Sequence, residues 1–262
     1  MREPVDALNH RDDDHVVGPR ARFAVIVPST NTVVEQDLAR IDVDGVSFHT
    51  GRMYIERPAL DSNEAFEELL GQIRVSIDVA VRDVVTAKPT AMLMGMSAET
   101  FWGGVAGNAA FEARIGERSG GLPVTTGAAS CRAALEAFGA ERIAVFSPYQ
   151  PVADEQVGTY FTEAGFDVAA ITGLRCATAT SIAEVGPTRI AEVIEEIGGH
   201  RDDVDAVVQV GTNLSFVEQA ARLELELDKP VIAINMATLW RGLRSMGIDD
   251  RVAGVGRLLA EH

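Results

Sequence analysis

The sequence predicts an α/β protein of two pseudo-symmetric lobes, each a small parallel sheet flanked by helices, with a ligand cleft between them. Three observations carry this expectation. Short apolar runs alternate with longer helical patterns from Arg22 onward. The runs are apolar on both faces, as in parallel sheets covered by helices. The chain also resembles itself at an offset of about 120 residues.

The elements follow in order. Residues 1–20 hold five acidic residues, three basic residues and two histidines (His10 and His15) without any strand or helix period, and read as a flexible leader. Phe23-Ala24-Val25-Ile26-Val27 reads as a buried strand that Pro28 ends. Phe66, Leu69, Leu70, Ile73, Ile77, Ala80 and Val84 recur three or four apart, the spacing of one helix face, with Asp61 as N-cap and Glu64 three residues on. Residues 91–94 (AMLM), 143–146 (IAVF), 167–171, 206–210 (AVVQV) and 231–234 (VIAI) read as further strands. The segment from Val27 to Gln36 recurs 120 positions later as Ser147 to Gln156, with Pro, Glu and Gln in register. Met94-Gly95-Met96-Ser97 and Val210-Gly211-Thr212-Asn213 end apolar strands 116 positions apart. The expected division is residues 21–124 plus 232–262 for one lobe and 125–231 for the other.

Composition narrows the function. With 23 basic against 39 acidic residues the net charge is −16. Phosphate backbones and anionic lipid would repel such a chain, so no nucleic-acid or membrane partner is expected. No 18-residue apolar stretch or secretory signal is present, which predicts a cytoplasmic protein. Two cysteines, Cys131 and Cys176, are too few for a disulfide framework or zinc cluster. No phosphate-binding glycine loop or metal-ligand spacing occurs, so no cofactor is expected. The sequence leaves a homo-oligomer open.

Ligands of open α/β sheets bind beyond the carboxyl ends of the strands. Four segments lie there: PSTNT, GMSAET, SPYQP and GTNLSF. They supply Pro28, Ser29, Asn31, Gly95, Met96, Ser97, Tyr149, Gly211, Thr212 and Asn213, an inventory of hydroxyls, amides and close-approach glycines. Such neutral donors suit a carboxylate or a developing enediolate. Arg52 is a further candidate carboxylate clamp. Phe101 and Trp102 are candidates for an apolar wall. A serine-hydrolase reading of Gly95–Glu99 would need His49 or His200 as its base.

PSTNTVVEQ, HTGRM at 49–53, GTNLSF and KPVIAINMATLW at 229–240 resemble maleate cis–trans isomerases, and GMSAETFWGG at 95–104 resembles the matching turn of arylmalonate decarboxylase. Both belong to the aspartate/glutamate racemase superfamily, and the resemblance spans residues 22–255. It implies Rossmann-like lobes, a small carboxylate substrate and a tyrosine, Tyr149, beside the substrate carboxylate. It also places the two family cysteines at Gly95 and Gly211. Two-base racemisation and isomerisation through a cysteine adduct then lose their thiols. The resemblance therefore implies a cofactor-independent decarboxylase or lyase that stabilises an enolate with Ser97, Thr212, Asn213 and Tyr149. The alternatives are a cis–trans isomerase of a maleate-like dicarboxylate and an inactive carboxylate-binding protein. Cys176 is the candidate displaced thiol, with Arg175 to lower its pKa. Returning a cysteine to position 211 is expected to be sterically cheap if φ there is negative.

Overall fold

The computed structural model describes residues 15–262, so His10 and most of the expected leader lie outside the described residues. The strands are β1 (Ala21–Pro28), β2 (Val46–Met53), β3 (Ala91–Met94), β4 (Val124–Thr125), β5 (Arg142–Ser147), β6 (Asp167–Gly173), β7 (Ala206–Gln209) and β8 (Val231–Ala233). The helices are α1 (Val34–Leu38), α2 (Asn63–Val84), α3 (Ala98–Phe101), α4 (Gly104–Arg118), α5 (Gly127–Phe138), α6 (Pro151–Glu163), α7 (Pro187–Glu196), α8 (Val217–Leu227), α9 (Ile234–Ser245) and α10 (Arg257–Glu261). The central strands β1, β3, β5 and β7 are buried along nearly their whole length, which is why they read as unbroken apolar runs.

Two parallel four-stranded sheets result, ordered β2-β1-β3-β4 and β6-β5-β7-β8. The same connectivity occurs in each half, as the internal repeat leads one to expect. Register refines the correspondence. Ile26 stands opposite Met94 in the first sheet and Phe146 opposite Gln209 in the second. Pro28 and Pro148 each lie two residues beyond the matched position, whereas the third strands match at 115 residues. Gly95 therefore corresponds in the ladder to Val210, one residue before Gly211. A one-residue slip reverses the face that a side chain takes.

Three expectations change in detail. The N-cap of α2 is Ser62, whose side chain accepts the Ala65 N–H at 3.1 Å, and not Asp61. The division at 231/232 falls inside β8, which pairs with β7 and so belongs to the second sheet. The chain returns to the first sheet only with α9, where Gly242 comes so close that a Cβ would lie 2.5 Å from Leu93 Cδ2. The described end of the leader is also anchored, since Arg20 bonds the Asp44 carbonyl and the Asp250 carboxylate.

Candidate active site

Turns beyond β1, β3, β5 and β7 meet around one cleft. Pro28, Thr30 and Asn31 line it from the first turn, Met96, Ser97 and Ala98 from the second, Pro148 and Tyr149 from the third, and Gly211, Thr212 and Asn213 from the fourth. An apolar wall closes it: Phe66, Leu69 and Ile73 from α2, with Leu60 and Ile182 from the loops after β2 and β6. Those loops clasp each other. Ala59 and Thr178 form an antiparallel bridge, the Leu60 N–H donates to Ala177 O at 2.8 Å, and the Ala179 N–H donates to Pro58 O at 2.7 Å. None of the lining residues is ionised.

Four sequence candidates stand away from this lining. Ser29 uses its hydroxyl to accept the Ile55 N–H at 3.0 Å. Arg52 donates to Asn31 O at 3.1 Å and pairs with Glu35, so it fixes the first turn instead of presenting its charge to the cleft. Gly95 lines a different, smaller cavity with Val34, Leu38, Asn235 and Thr238. Cys176 is buried outside the cleft lining, and desolvation pushes its thiol up to about 11. Arg175 is turned to Asp154, so the expected lowering of the thiol pKa does not occur. Cys131 is wholly buried, its pKa raised by desolvation.

The hydroxyls form a directed chain. Val210 O can only accept, so the Tyr149 hydroxyl donates to it, at 2.9 Å. Ser97 Oγ is hydrogen-bonded to the Tyr149 hydroxyl and must therefore be the donor of that pair. Ser97 Oγ in turn lies 3.4 Å from the Thr212 N–H, which points to it. Burial holds the Tyr149 phenol above its ordinary range, opposed by the Ser97 hydrogen bond. Tyr149 is accordingly a neutral donor. Ser97 meets no histidine: His49 bonds Ser47 on the edge strand, and His200 pairs with Glu195 on the surface. The hydrolase reading has no base.

The two asparagines act as ties between lobes. Asn31 Oδ1 accepts the Val33 and Val34 N–H groups, each at 3.0 Å, while its Nδ2 donates to Thr212 Oγ1 at 3.4 Å. Asn213 Oδ1 accepts the Thr32 N–H at 2.9 Å, and its Nδ2 donates to Ala179 O at 2.8 Å. Thr212 Oγ1, an acceptor here, keeps its own proton to donate. Sequence reasoning missed Asn235, whose Nδ2 bonds both Thr212 O at 3.0 Å and the buried Asp37 Oδ2 at 2.7 Å. Desolvation raises the Asp37 carboxyl to about 6, against the opposing bond from Asn235. It also missed the wall. Phe101 is wholly buried against Tyr160 and Phe161, and Trp102 stacks under Arg74, so the expected aromatic pair does not supply it.

Both glycines assigned to the cysteine positions are sterically enclosed. A Cβ on Gly211 would lie 2.5 Å from Pro148 Cγ and closer still to Cδ; one on Gly95 would lie 2.5 Å from Val27 Cγ1. Neither has positive φ, so space rather than conformation excludes the side chain. They aim at different neighbours, consistent with the one-residue slip in the ladder.

Among the described residues no three His, Cys, Asp or Glu side chains group as a metal site, and no helix is long and apolar enough to cross a membrane. Comparison with known proteins gives coherent matches. The chain is 26% identical to maleate isomerase of Pseudomonas putida over 251 residues, 91% of this chain and 97% of that one. It is 23% identical to arylmalonate decarboxylase of Bordetella bronchiseptica, over 89% of this chain and 97% of that one. Maleate cis-trans isomerase of Nocardia farcinica, in a mutant carrying a covalently bound succinylcysteine intermediate, superimposes with a TM-score of 0.80 at 25% identity, covering 92% of this chain and 99% of that one. Unliganded arylmalonate decarboxylase shares the fold, with a TM-score of 0.73. The arylmalonate decarboxylase family model matches residues 23–259, and with nearly the whole chain inside it, this protein belongs to that family.

Proposed function

We propose that the chain is an enzyme of decarboxylase or lyase type acting on a small malonate-like acid without a cofactor. The observation that carries this reading is the division of an uncharged cleft into a hydroxyl end and an apolar wall. One carboxylate of the substrate would accept hydrogen bonds from Ser97 and Tyr149, whose protons turn from their present acceptors, and from the Thr212 hydroxyl, which still has its proton to donate. The second carboxylate would face Leu60, Phe66, Leu69 and Ile73, where it loses water without gaining a cation. Desolvation of that kind favours loss of neutral carbon dioxide. The carbon–carbon bond breaks, carbon dioxide leaves, and the electron pair passes into an enediolate held by the same donors. Tyr149 or water then delivers one proton to carbon.

The alternative, cis–trans isomerisation of a maleate-like diacid, draws support from the identity to maleate isomerases. Against it stands the enclosure of Gly95 and Gly211, which leaves the adduct route without a nucleophile. The test is to incubate the protein separately with phenylmalonate and maleate and follow products by proton NMR. We expect carbon dioxide release from phenylmalonate, reduced about 10²–10³-fold in Tyr149→Phe or Ser97→Ala, the loss typical of one oxyanion donor. Fumarate formation without decarboxylation would favour the isomerase. Calorimetric binding of phenylmalonate with no turnover of either acid would leave a binding protein.

A further inference from the structure

Asp154, in the first turn of α6, is a buried carboxylate that takes no part in lining the cleft. Its two oxygens serve one neighbour. Ser147 Oγ donates to Oδ1, and the same Ser147 oxygen accepts the Tyr149 N–H at 3.0 Å. Arg175 Nη1 donates to Oδ2 and also to Tyr149 O at 2.6 Å. The peptide groups on both sides of the Tyr149 Cα are thus tied to a single carboxylate.

Two further features show that the local structure is fitted to this arrangement. Arg175 reaches its position from a left-handed backbone, φ 55°, uncommon for a residue with a side chain. Gly173 supplies the space: a Cβ there would fall on Arg175 Nη1 and Asp154 Oδ2, and 2.5 Å from Tyr149 O. A related contact in the other lobe joins Arg52 to Asn31 O and Glu35, but its two side chains are 40% and 43% exposed, whereas that of Asp154 is 7% exposed. The second lobe alone buries its carboxylate.

We propose that Asp154, acting through Ser147 and Arg175 in the space left by Gly173, is the positioning residue that sets the Tyr149 hydroxyl against Ser97 and Val210. Its consequence for turnover rests on the reaction proposed above; its consequence for Tyr149 does not. Asp154→Asn keeps an acceptor for Ser147 but turns an NH₂ toward Arg175, donor against donor. Gly173→Ala instead removes no polar group but fills the space, so that Arg175 and Asp154 must shift.

The experiment labels tyrosine at Cζ with ¹³C, giving signals from Tyr54, Tyr149 and Tyr160, with Tyr149 assigned by Tyr149→Phe. In both variants the Tyr149 signal should move while those of Tyr54 and Tyr160 hold. The kcat for phenylmalonate should fall about 10–100-fold, as for displacement of a reacting group by up to 1 Å, with KM changed far less. An unmoved Tyr149 signal in folded Asp154→Asn overturns the proposal, whatever happens to activity. Should that variant fail to fold, the same result in Gly173→Ala overturns it. A moved Tyr149 signal with no phenylmalonate turnover even in wild type would refute the reaction and support the positioning role.

Discussion

Gly211→Cys tests how far the glycine is enforced by its surroundings. The new Cβ would stand 2.5 Å from Pro148 Cγ and closer still to Cδ, while ordinary contact begins near 3.4 Å, so more than about 0.9 Å must be found. A flexible side-chain tip could give that much; a proline ring at the end of β5 cannot rotate away. Overpacking of this kind costs about 1–3 kcal/mol. At 2–4 °C per kcal/mol for a protein of this size, a mid-range cost lowers Tm by about 4–8 °C. Thermal and urea unfolding measure it. Pro148→Ala removes the obstructing ring carbons, so Gly211→Cys/Pro148→Ala should be more stable than the sum of the single changes, by a coupling of about 0.5–3 kcal/mol. The same logic governs activity. The single variant should gain no phenylmalonate decarboxylation, whereas the double variant, with room for the thiol, should gain a measurable rate. If Gly211→Cys unfolds within about 0.5 kcal/mol of wild type, Pro148 does not enclose the glycine and the steric argument fails. The sequence-based expectation of a cheap substitution looked only at φ, which is indeed not positive, and could not see the neighbour.

Three other outcomes follow from the buried polar groups. Asp37 has a folded pKa of about 6 against 3.8 in its ordinary state, so its contribution to stability is fully present below pH 3.8 and lost as pH rises through 6. That amounts to about 3 kcal/mol, and urea unfolding of Asp37→Asn should lack this component between pH 4 and 7; identical pH profiles would remove Asp37 as its source. Iodoacetamide at pH 8 should label Cys176 on the order of 100-fold more slowly than an exposed thiol, because a pKa of about 11 leaves about one thiolate in a thousand. Rapid inactivation that tracks Cys176 and is prevented by phenylmalonate would contradict this and make it the displaced thiol. Asn213→Ala strands the Thr32 N–H of the other lobe and Ala179 O of its own, and should destabilise by about 1–3 kcal/mol in urea unfolding; no loss would mean that these bonds do not hold the turns in place.

The sequence by itself determined the layering. Apolar runs such as Phe23–Val27 and Ile143–Phe146 mark strands buried on both faces, and the recurrence of Pro28 at Pro148 marks two equivalent halves with their turns at strand ends. Those signals are local, because burial on both faces leaves its mark in each short segment. Partner choice is not local. The pattern Phe66, Leu69, Ile73 says that one face of α2 is buried, and would look the same whether that face met the core or walled a cleft. Ser97 and Tyr149 are 52 residues apart, and only docking of the two sheets makes one the donor to the other. Asn31 and Asn213, suited by type to bind a carboxylate, each spend one end of the amide on the opposite lobe, at Thr212 and Thr32, because the turns meet closely enough for those bonds to form. Gly95 and Gly211 read alike along the chain, yet a one-residue difference in register aims one at Val27 and the other at Pro148. Periodicity records whether a side chain is buried; what it is buried against is fixed by long-range packing, and the chemistry of this cleft depends on that second fact.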